Sequence, residues 1–380
     1  MQLKALRKFV LGLALTTGLV VTACGESGSR SEFIYSSWTP PNAPNNTDGT
    51  VPLFAEIEAE TNGTEDEITF RNFMSAQLLT AVTTLTGVRD GVAHGGFVSP
   101  SYFPAELKHH VTLAELQALT ANGFAAAAAN TETLLKHCPE CLEEYDAQNI
   151  VPLGVYATTS FHLMCNFDLQ SIDQLQGKRV AEGSTMFSRW ARVLGMSRQA
   201  LPPSEFQQAL QRGTVDCVFA PKDWLVAFSI ADSVDTIVND TSHGVFPAAV
   251  MMAVNKDKWT SMTERQRSLL WRKQARALMS VVEGYYRDEQ RGEAAALENG
   301  ARLVELGSAY GEAWAEFQSN ERAAVISAAV SRGAKNAEAV VDKNIALIGE
   351  WETIVAESDG DIDAVADALF NRAYGDDLPF

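Results

Sequence analysis

The 380-residue sequence is short of bases for its acids: 30 Lys and Arg stand against 48 Asp and Glu, a formal net charge of −18. A chain that acidic repels phosphate backbones, which excludes nucleic-acid binding. Beyond the N-terminus no apolar run approaches the roughly 18–20 residues that a bilayer span needs, so a multi-span transporter is excluded. No G-x-G-x-x-G or P-loop is present, and nucleotide binding loses its usual phosphate cradle. A G-x-S-x-G elbow and the H-E-x-x-H and H-x-H metal patterns are missing too. His109-His110 is an adjacent pair, and neighbours one apart on a helix point to different sides, which argues against chelation. Asp232 with Asp235, and Glu140 with Glu143 and Glu144, read as solvated faces. Nothing here asks for an enzyme.

What is present is an ordinary globular balance, 46% hydrophobic and 21% charged, on a chain too long for one core. The N-terminus reads as an address. Lys4, Arg7 and Lys8 precede an apolar stretch from Phe9 to Ala23, and Val21-Thr22-Ala23-Cys24 resembles a lipobox. Residues 1–24 are therefore expected to be a lipoprotein-type signal peptide, with Cys24 as the lipidation site and residues 25–32 as a tether. Removing residues 1–24 takes away three bases and no acid, leaving 27 against 48, a net of −21. Export puts the body in an oxidising compartment, so Cys138, Cys141, Cys165 and Cys217 are available for two disulfides. Cys138-Pro139-Glu140-Cys141 also permits a redox site, although no second CxxC and no spaced His pair accompany it.

Periodicity predicts a first strand over 33–38, a helix over 51–60, a strand over 68–73, a helix over 82–90 and a short strand over 95–98. An alanine-rich helix is expected over 113–135, one strand over 150–157 and another over 162–166. Ser204-Glu205-Phe206-Gln207 has the form of a capping box, Gly213 of a helix stop, and 214–219 of a strand. Strand, helix, strand recurs, which argues for α/β layers. From Thr263 the pattern changes. Trp271, Ala275, Leu278, Val282 and Tyr285 make a stripe on a helix expected over 264–298, on the order of 50 Å long at 1.5 Å per residue. That length could brace two lobes. Further helices are expected over 323–330 and 341–355.

Four stretches then point to a family. Pro202-Pro203-Ser204-Glu205-Phe206-Gln207-Gln208-Ala209-Leu210-Gln211-Arg212-Gly213-Thr214-Val215-Asp216-Cys217 resembles the signature of the DctP-type receptors of tripartite ATP-independent periplasmic (TRAP) transporters. Glu60-Thr61-Asn62-Gly63 with Ile68-Thr69-Phe70, Gly87-Val88-Arg89-Asp90-Gly91-Val92-Ala93, and Leu175-Gln176-Gly177-Lys178-Arg179-Val180 resemble three other family stretches in the same order. The resemblance implies an α/β, two-lobed periplasmic-binding-protein-like fold with a long helix spanning both lobes and, with the pattern above, a helical C-terminus. The lobes are expected at 33–156 plus 246–285 and at 157–245 plus 286–335, with 336–380 packing back on them. The implied function is capture of a small organic, carboxylic acid and its delivery to a TRAP membrane permease, with no catalysis and membrane contact through a lipid anchor only. A receptor of another transporter class, a lipid-tethered ligand sensor and a thiol oxidoreductase are the alternatives.

The sequence departs from the family where the ligand's charge is read. The family's arginine after the Leu175–Val180 stretch falls at Ala181, and a second family arginine falls at Tyr156. A bidentate Arg–carboxylate pair is a strong, directional contact, and its loss leaves three options. Another cation replaces it, with Arg189 beside Trp190 as the candidate; a bound metal ion bridges the carboxylate; or the ligand is less anionic. No cofactor is otherwise called for, and no metal-ligand set is assigned. The expected ligand-binding residues are Trp38, Phe97, Tyr102, Tyr156, Thr159, Arg189, Trp224, His243 and Phe246, with His243 to Phe246 doubling as a hinge.

Overall fold

β-Branched and aromatic residues at alternating positions begin the chain's first sheet. Residues 31–379 are described by the computed structural model; the expected signal peptide, Cys24 and the start of the expected tether lie outside the described residues. Strands β1 (Ser31–Ser36), β2 (Ile68–Phe73), β3 (Gly95–Val98), β4 (Ile150–Pro152) and β5 (Val155–Tyr156) belong to the first sheet. Strands β6 (Phe161–Cys165), β7 (Arg179–Glu182), β8 (Ser197–Ala200), β9 (Cys217–Pro221) and β10 (Thr236–Val238) build the second. The chain then returns to the first sheet as β11 (Ala249–Asn255) and closes the second with β12 (Arg302–Val304). The orders are β2-β1-β3-β11-β4, with β5 also on β11, and β12-β10-β6-β9-β7-β8.

Helices α1 (Val51–Thr61), α2 (Thr84–Arg89), α3 (Lys108–Ala114), α4 (Gly123–Glu132) and α5 (Pro139–Ala147) lie between strands of the first sheet. Helices α6 (Thr185–Val193), α7 (Phe206–Gln211) and α8 (Trp224–Ala227) lie between strands of the second. The helix α9 (Lys256–Ser261) precedes the 35-residue α10 (Glu264–Glu298), and α11 (Ser308–Ser331), α12 (Ala337–Glu357) and α13 (Ile362–Leu369) complete a helical C-terminus. The two-lobed α/β expectation holds.

The sequence explains why α10 is one helix. Thr263 and Gln266 form a reciprocal capping box, and no Pro interrupts the 35 residues. Two glycines let it lie close to both lobes. A Cβ at Gly284 would strike the Asp48 carboxylate beside the first sheet, and one at Gly292 would overlap the Lys222 carbonyl beside the second. The C-terminal helices dock by hydrogen bonds as well as by apolar faces. Trp351 Nε1 donates to Glu132 at 2.8 Å, and Tyr374 Oη donates to the Leu153 carbonyl at 2.7 Å.

Several sequence expectations are corrected. The helix expected over 113–135 is three pieces: α3 ends at Ala114, a 3₁₀ turn runs Glu115–Leu119, Thr120 is extended, and Asn122 caps α4 by accepting from Ala125 N at 3.1 Å. Asn122-Gly123 is a start signal that the run of alanines obscured. The strand over 150–157 is split into β4 and β5 by Gly154 at φ 112°, where Tyr374 Oη fills the place of a Cβ. No capping box forms at Ser204: Pro203–Glu205 is a 3₁₀ turn, and α7 starts at Phe206 without a side-chain cap. The following strand begins at Cys217 rather than at Thr214, because the chain is still turning after Gly213.

Two disulfides are formed, Cys138–Cys141 and Cys165–Cys217. The second joins directly opposed residues of antiparallel β6 and β9, with Cα atoms 4.0 Å apart. Both Cys138 and Cys141 are buried, at 1% and 0% exposure, which withholds the sulfurs from a redox partner.

Candidate ligand-binding site

Two segments cross between the sheets, one from β5 to β6 and one from β10 to β11. They are tied together by a Ser160–Val245 bridge and by Phe161 N donating to the Gly244 carbonyl at 2.9 Å. Beside this crossing lies a cavity enclosing about 640 Å³ of unfilled space, including its mouth. One wall carries Trp38 and Thr39 after β1, Phe97 and Ser99 from the end of β3, Tyr102, and Tyr156 on β5. The other carries Phe161 on β6, Gly183 and Ser184 after β7, Phe187 on α6, and Trp224 and Phe228 around α8. Gln117, Phe246 and Tyr285 of α10 also line it.

Each wall is a continuous aromatic surface. Trp38 stacks on Phe97 at 4.8 Å between centroids, Phe97 on Tyr156 at 5.7 Å, and Tyr156 on Tyr285 at 5.8 Å. Across from them Phe161 touches Phe187 at 5.0 Å and meets Trp224 edge-on at 5.5 Å, and Trp224 meets Phe228 at 5.1 Å. Such pairs hold rings in fixed planes, so the space between them suits a flat apolar body.

The lining contains no Lys, Arg, His, Asp or Glu. Its polar atoms are neutral hydroxyls, an amide and indole N–H groups. Burial pushes the phenols of Tyr102, Tyr156 and Tyr285 up, so they stay protonated at neutral pH. Two buried carboxyls adjoin lining residues in sequence, Glu182 beside Gly183 and Asp223 beside Trp224. Glu182, at the end of β7, accepts from Ser184 N at 2.9 Å and Ser188 Oγ at 2.7 Å, and burial raises its carboxyl. Asp223, next to Trp224, is buried with neither carboxylate oxygen hydrogen-bonded, and burial, then the charges of Asp288 and Glu289, raise it well above the usual carboxylate range.

The sequence matches the model of the bacterial extracellular solute-binding proteins, family 7 (DctP), over residues 36–328. The chain belongs to that family. Solved structures agree with the fold. A TRAP solute-binding protein from an unidentified marine microbe, specific for aromatic acid ligands and bound to metahydroxyphenylacetate, superposes with a TM-score of 0.76 at 19% identity, covering 85% of this chain and 100% of that one. A TRAP periplasmic protein of Bordetella bronchiseptica with bound mandelate gives 0.73 at 22% identity, covering 84% and 99%. A Rhodoferax ferrireducens TRAP protein with copurified benzoate gives 0.75 at 14% identity, covering 85% and 99%. No curated protein sequence matches the chain.

In this family 7 protein, six of the residues singled out from the sequence line the cavity: Trp38, Phe97, Tyr102, Tyr156, Trp224 and Phe246. Three do not, and each is a correction. Arg189 points to α11, where it makes a two-pronged pair with Glu321 at 2.9 and 2.5 Å. His243 is fully buried in the second lobe, with its ring nitrogens at 3.1 Å from the Phe161 carbonyl and 2.8 Å from Tyr310 Oη. Burial lowers its pKa to about 3, so it is a neutral packing residue. Thr159 is fully buried and is not among the lining residues. Arg179 is no substitute cation, because its guanidinium and backbone N–H are spent on Asp216 at 2.7–3.0 Å. Ala181, at the family's arginine position, is buried against Phe206 and Val218. The metal-bridged option has no carboxylate, imidazole or thiolate in the lining to build on. Among the described residues no group of three or more His, Cys, Asp or Glu could hold a metal ion. Sequence reading missed Gln117, Ser184, Phe161, Phe187, Phe228 and Tyr285. Tyr285 belongs to the stripe of the long helix, with nothing in the spacing to set it apart from its neighbours, and Gln117 was hidden inside the supposed continuous helix.

Proposed function

We propose that this chain is the solute receptor of a TRAP transporter, capturing a small organic acid with an aromatic body between its lobes and handing it to a membrane permease. The observation that carries the reading is the cavity between the two sheets, walled by aromatic surfaces from both, in a chain whose family binds solutes. The aromatic acids held by the marine, Bordetella and Rhodoferax proteins support the ligand class. The lobes are 33–156 plus 246–285 and 157–245 plus 286–335, with 336–380 packed against them, and acylated Cys24 tethers the exported body. A ligand that touches both walls favours the closed arrangement by its extra affinity for that form. Hinge motion at the two crossings then presents a closed surface to the permease, and no bond in the ligand is made or broken. Native mass spectrometry of the protein purified from its own host tests this. An organic acid should travel with it and leave unchanged on denaturation. Release of a chemically altered product would overturn the reading.

A further inference from the structure

Two lining residues carry N–H groups for which the protein provides no acceptor: Gln117 through Nε2 and Trp38 through Nε1. Gln117 is fully buried and Trp38 is 8% exposed. Buried donors are nearly always satisfied, so two orphans around one cavity mark places where something else supplies the oxygen. The Gln117 amide is held in place. Ser184 Oγ accepts from Phe187 N at 3.5 Å as the cap of α6 and gives its own proton to Gln117 Oε1 at 3.1 Å. That leaves Nε2 as the free end. Behind it, the backbone of the turn is fixed: Gln318 Nε2 donates to the Ala118 carbonyl at 2.7 Å. Gly244, at φ 76°, lies where any Cβ would overlap the Gln117 carbonyl. Trp38 is fixed by its stack on Phe97.

We propose that the acid end of the ligand is held by neutral donors, Gln117 Nε2–H and Trp38 Nε1–H, in the role that a guanidinium would otherwise fill. The proposal rests on the organic-acid reading above and specifies how that acid is recognised. A carboxylate that accepts several N–H bonds is stabilised without a counter-charge. The same donors also serve an uncharged carbonyl, whose weaker bonds are offset by its smaller cost of leaving water. With no cation in the lining and the Glu182 and Asp223 carboxyls behind it, this site reads shape and acceptor position more than charge. A carboxylic acid and its primary amide should therefore bind with similar strength, where a guanidinium clamp would separate them steeply.

The test is calorimetry with benzoate, (R)-mandelate, benzamide and mandelamide on the parent protein and on two variants. Trp38→Phe keeps the stack and removes one N–H. Gln117→Glu keeps the acceptor for Ser184 and replaces the donor with a charge. The parent should bind each amide within about 10-fold of its acid, a gap of at most ~1.4 kcal/mol. Trp38→Phe should weaken both members of a pair by a similar factor. Gln117→Glu should weaken the acid at least 10-fold more than the amide, with thermal melting confirming the fold. Parental binding of the acids that neither variant changes by more than twofold would overturn the neutral anchor and leave the functional reading standing. Failure of the parent to bind any of the four probes would overturn the aromatic-acid reading, and the anchor with it.

Discussion

Replacing Arg189 by alanine separates a structural ion pair from a ligand clamp. Its partner Glu321 keeps only 2% of its side chain exposed, and Arg189 itself keeps 20%. Burial already raises the Glu321 carboxyl, the guanidinium opposes that rise, and Glu115 adds a like charge nearby. Removing one member of a buried pair costs about 3–5 kcal/mol, because the survivor stays buried without compensation. The partial exposure of Arg189 puts this site near the lower end, about 3 kcal/mol. The loss should depend on pH. Glu321 without its partner has a folded pKa above its unfolded value near 4.5, so the penalty is absent well below that value and grows as pH rises towards neutrality. Urea titrations of the intrinsic tryptophan fluorescence at pH 7.5 and pH 4 measure it. Joint replacement, Arg189→Met with Glu321→Leu, should recover most of the stability, since a buried pair exchanged for apolar residues is often neutral. Calorimetry with benzoate should give the same affinity within twofold for Arg189→Ala and the parent. A loss of 10-fold or more in affinity, with the urea midpoint unmoved, would place Arg189 in the site and refute the reasoning.

Two further outcomes follow from groups that the fold buries. Asp223→Asn removes a buried carboxyl whose ionisation the folded state resists, and leaves the side chain's size unchanged. The wild-type folded state holds its proton to higher pH than the unfolded chain does, so the carboxyl costs nothing below about pH 3.9 and costs progressively more above it. The variant should melt higher at pH 7.5, by about 2 °C for each kcal/mol recovered, and match the parent at pH 3.5 in scanning calorimetry; a lower melting temperature at pH 7.5 would contradict this. The Cys165–Cys217 bridge spans 52 residues of sequence, and a loop of that size constrains the unfolded chain by ~4 kcal/mol. Cys165→Ala with Cys217→Ala should lower the urea midpoint far more than Cys138→Ala with Cys141→Ala, whose loop of 3 residues is worth ~2 kcal/mol; the reverse order would contradict the entropic account.

The parts that were legible in the sequence are those whose signals are local. The helix from Glu264 to Glu298 announces its own start through Thr263 and Gln266 and its face through Trp271, Leu278 and Tyr285. Strands β2 and β3 fall on the expected residues because turn chemistry brackets short apolar runs. The signature stretch was recognisable, yet its conspicuous acid acts within the second sheet: Asp216 clamps the backbone and guanidinium of Arg179 and so sets the register of β7 on β9. Recognition of a family therefore located the fold without locating the ligand's partners.

Sequence fails at the site for a physical reason. Aromatic residues at strand ends, such as Trp38, Phe97 and Tyr156, could be found because their positions follow from alternation. Polar specificity depends instead on which donors lack acceptors, and that is a property of three-dimensional satisfaction. Arg189 looked available because a guanidinium beside a tryptophan in an acidic chain seems unclaimed, but Glu321 lies 132 residues away and claims both of its prongs. Gln117 looked like one more polar residue on a helix, but a break at Thr120 and a glycine at 244 turn it toward the crossing, where Ser184 occupies its oxygen and nothing occupies its nitrogen. A charge in a sequence is conspicuous and is often already spent within the protein. The groups left to meet a ligand are those the fold has not satisfied, and around this cavity the unsatisfied donors are neutral.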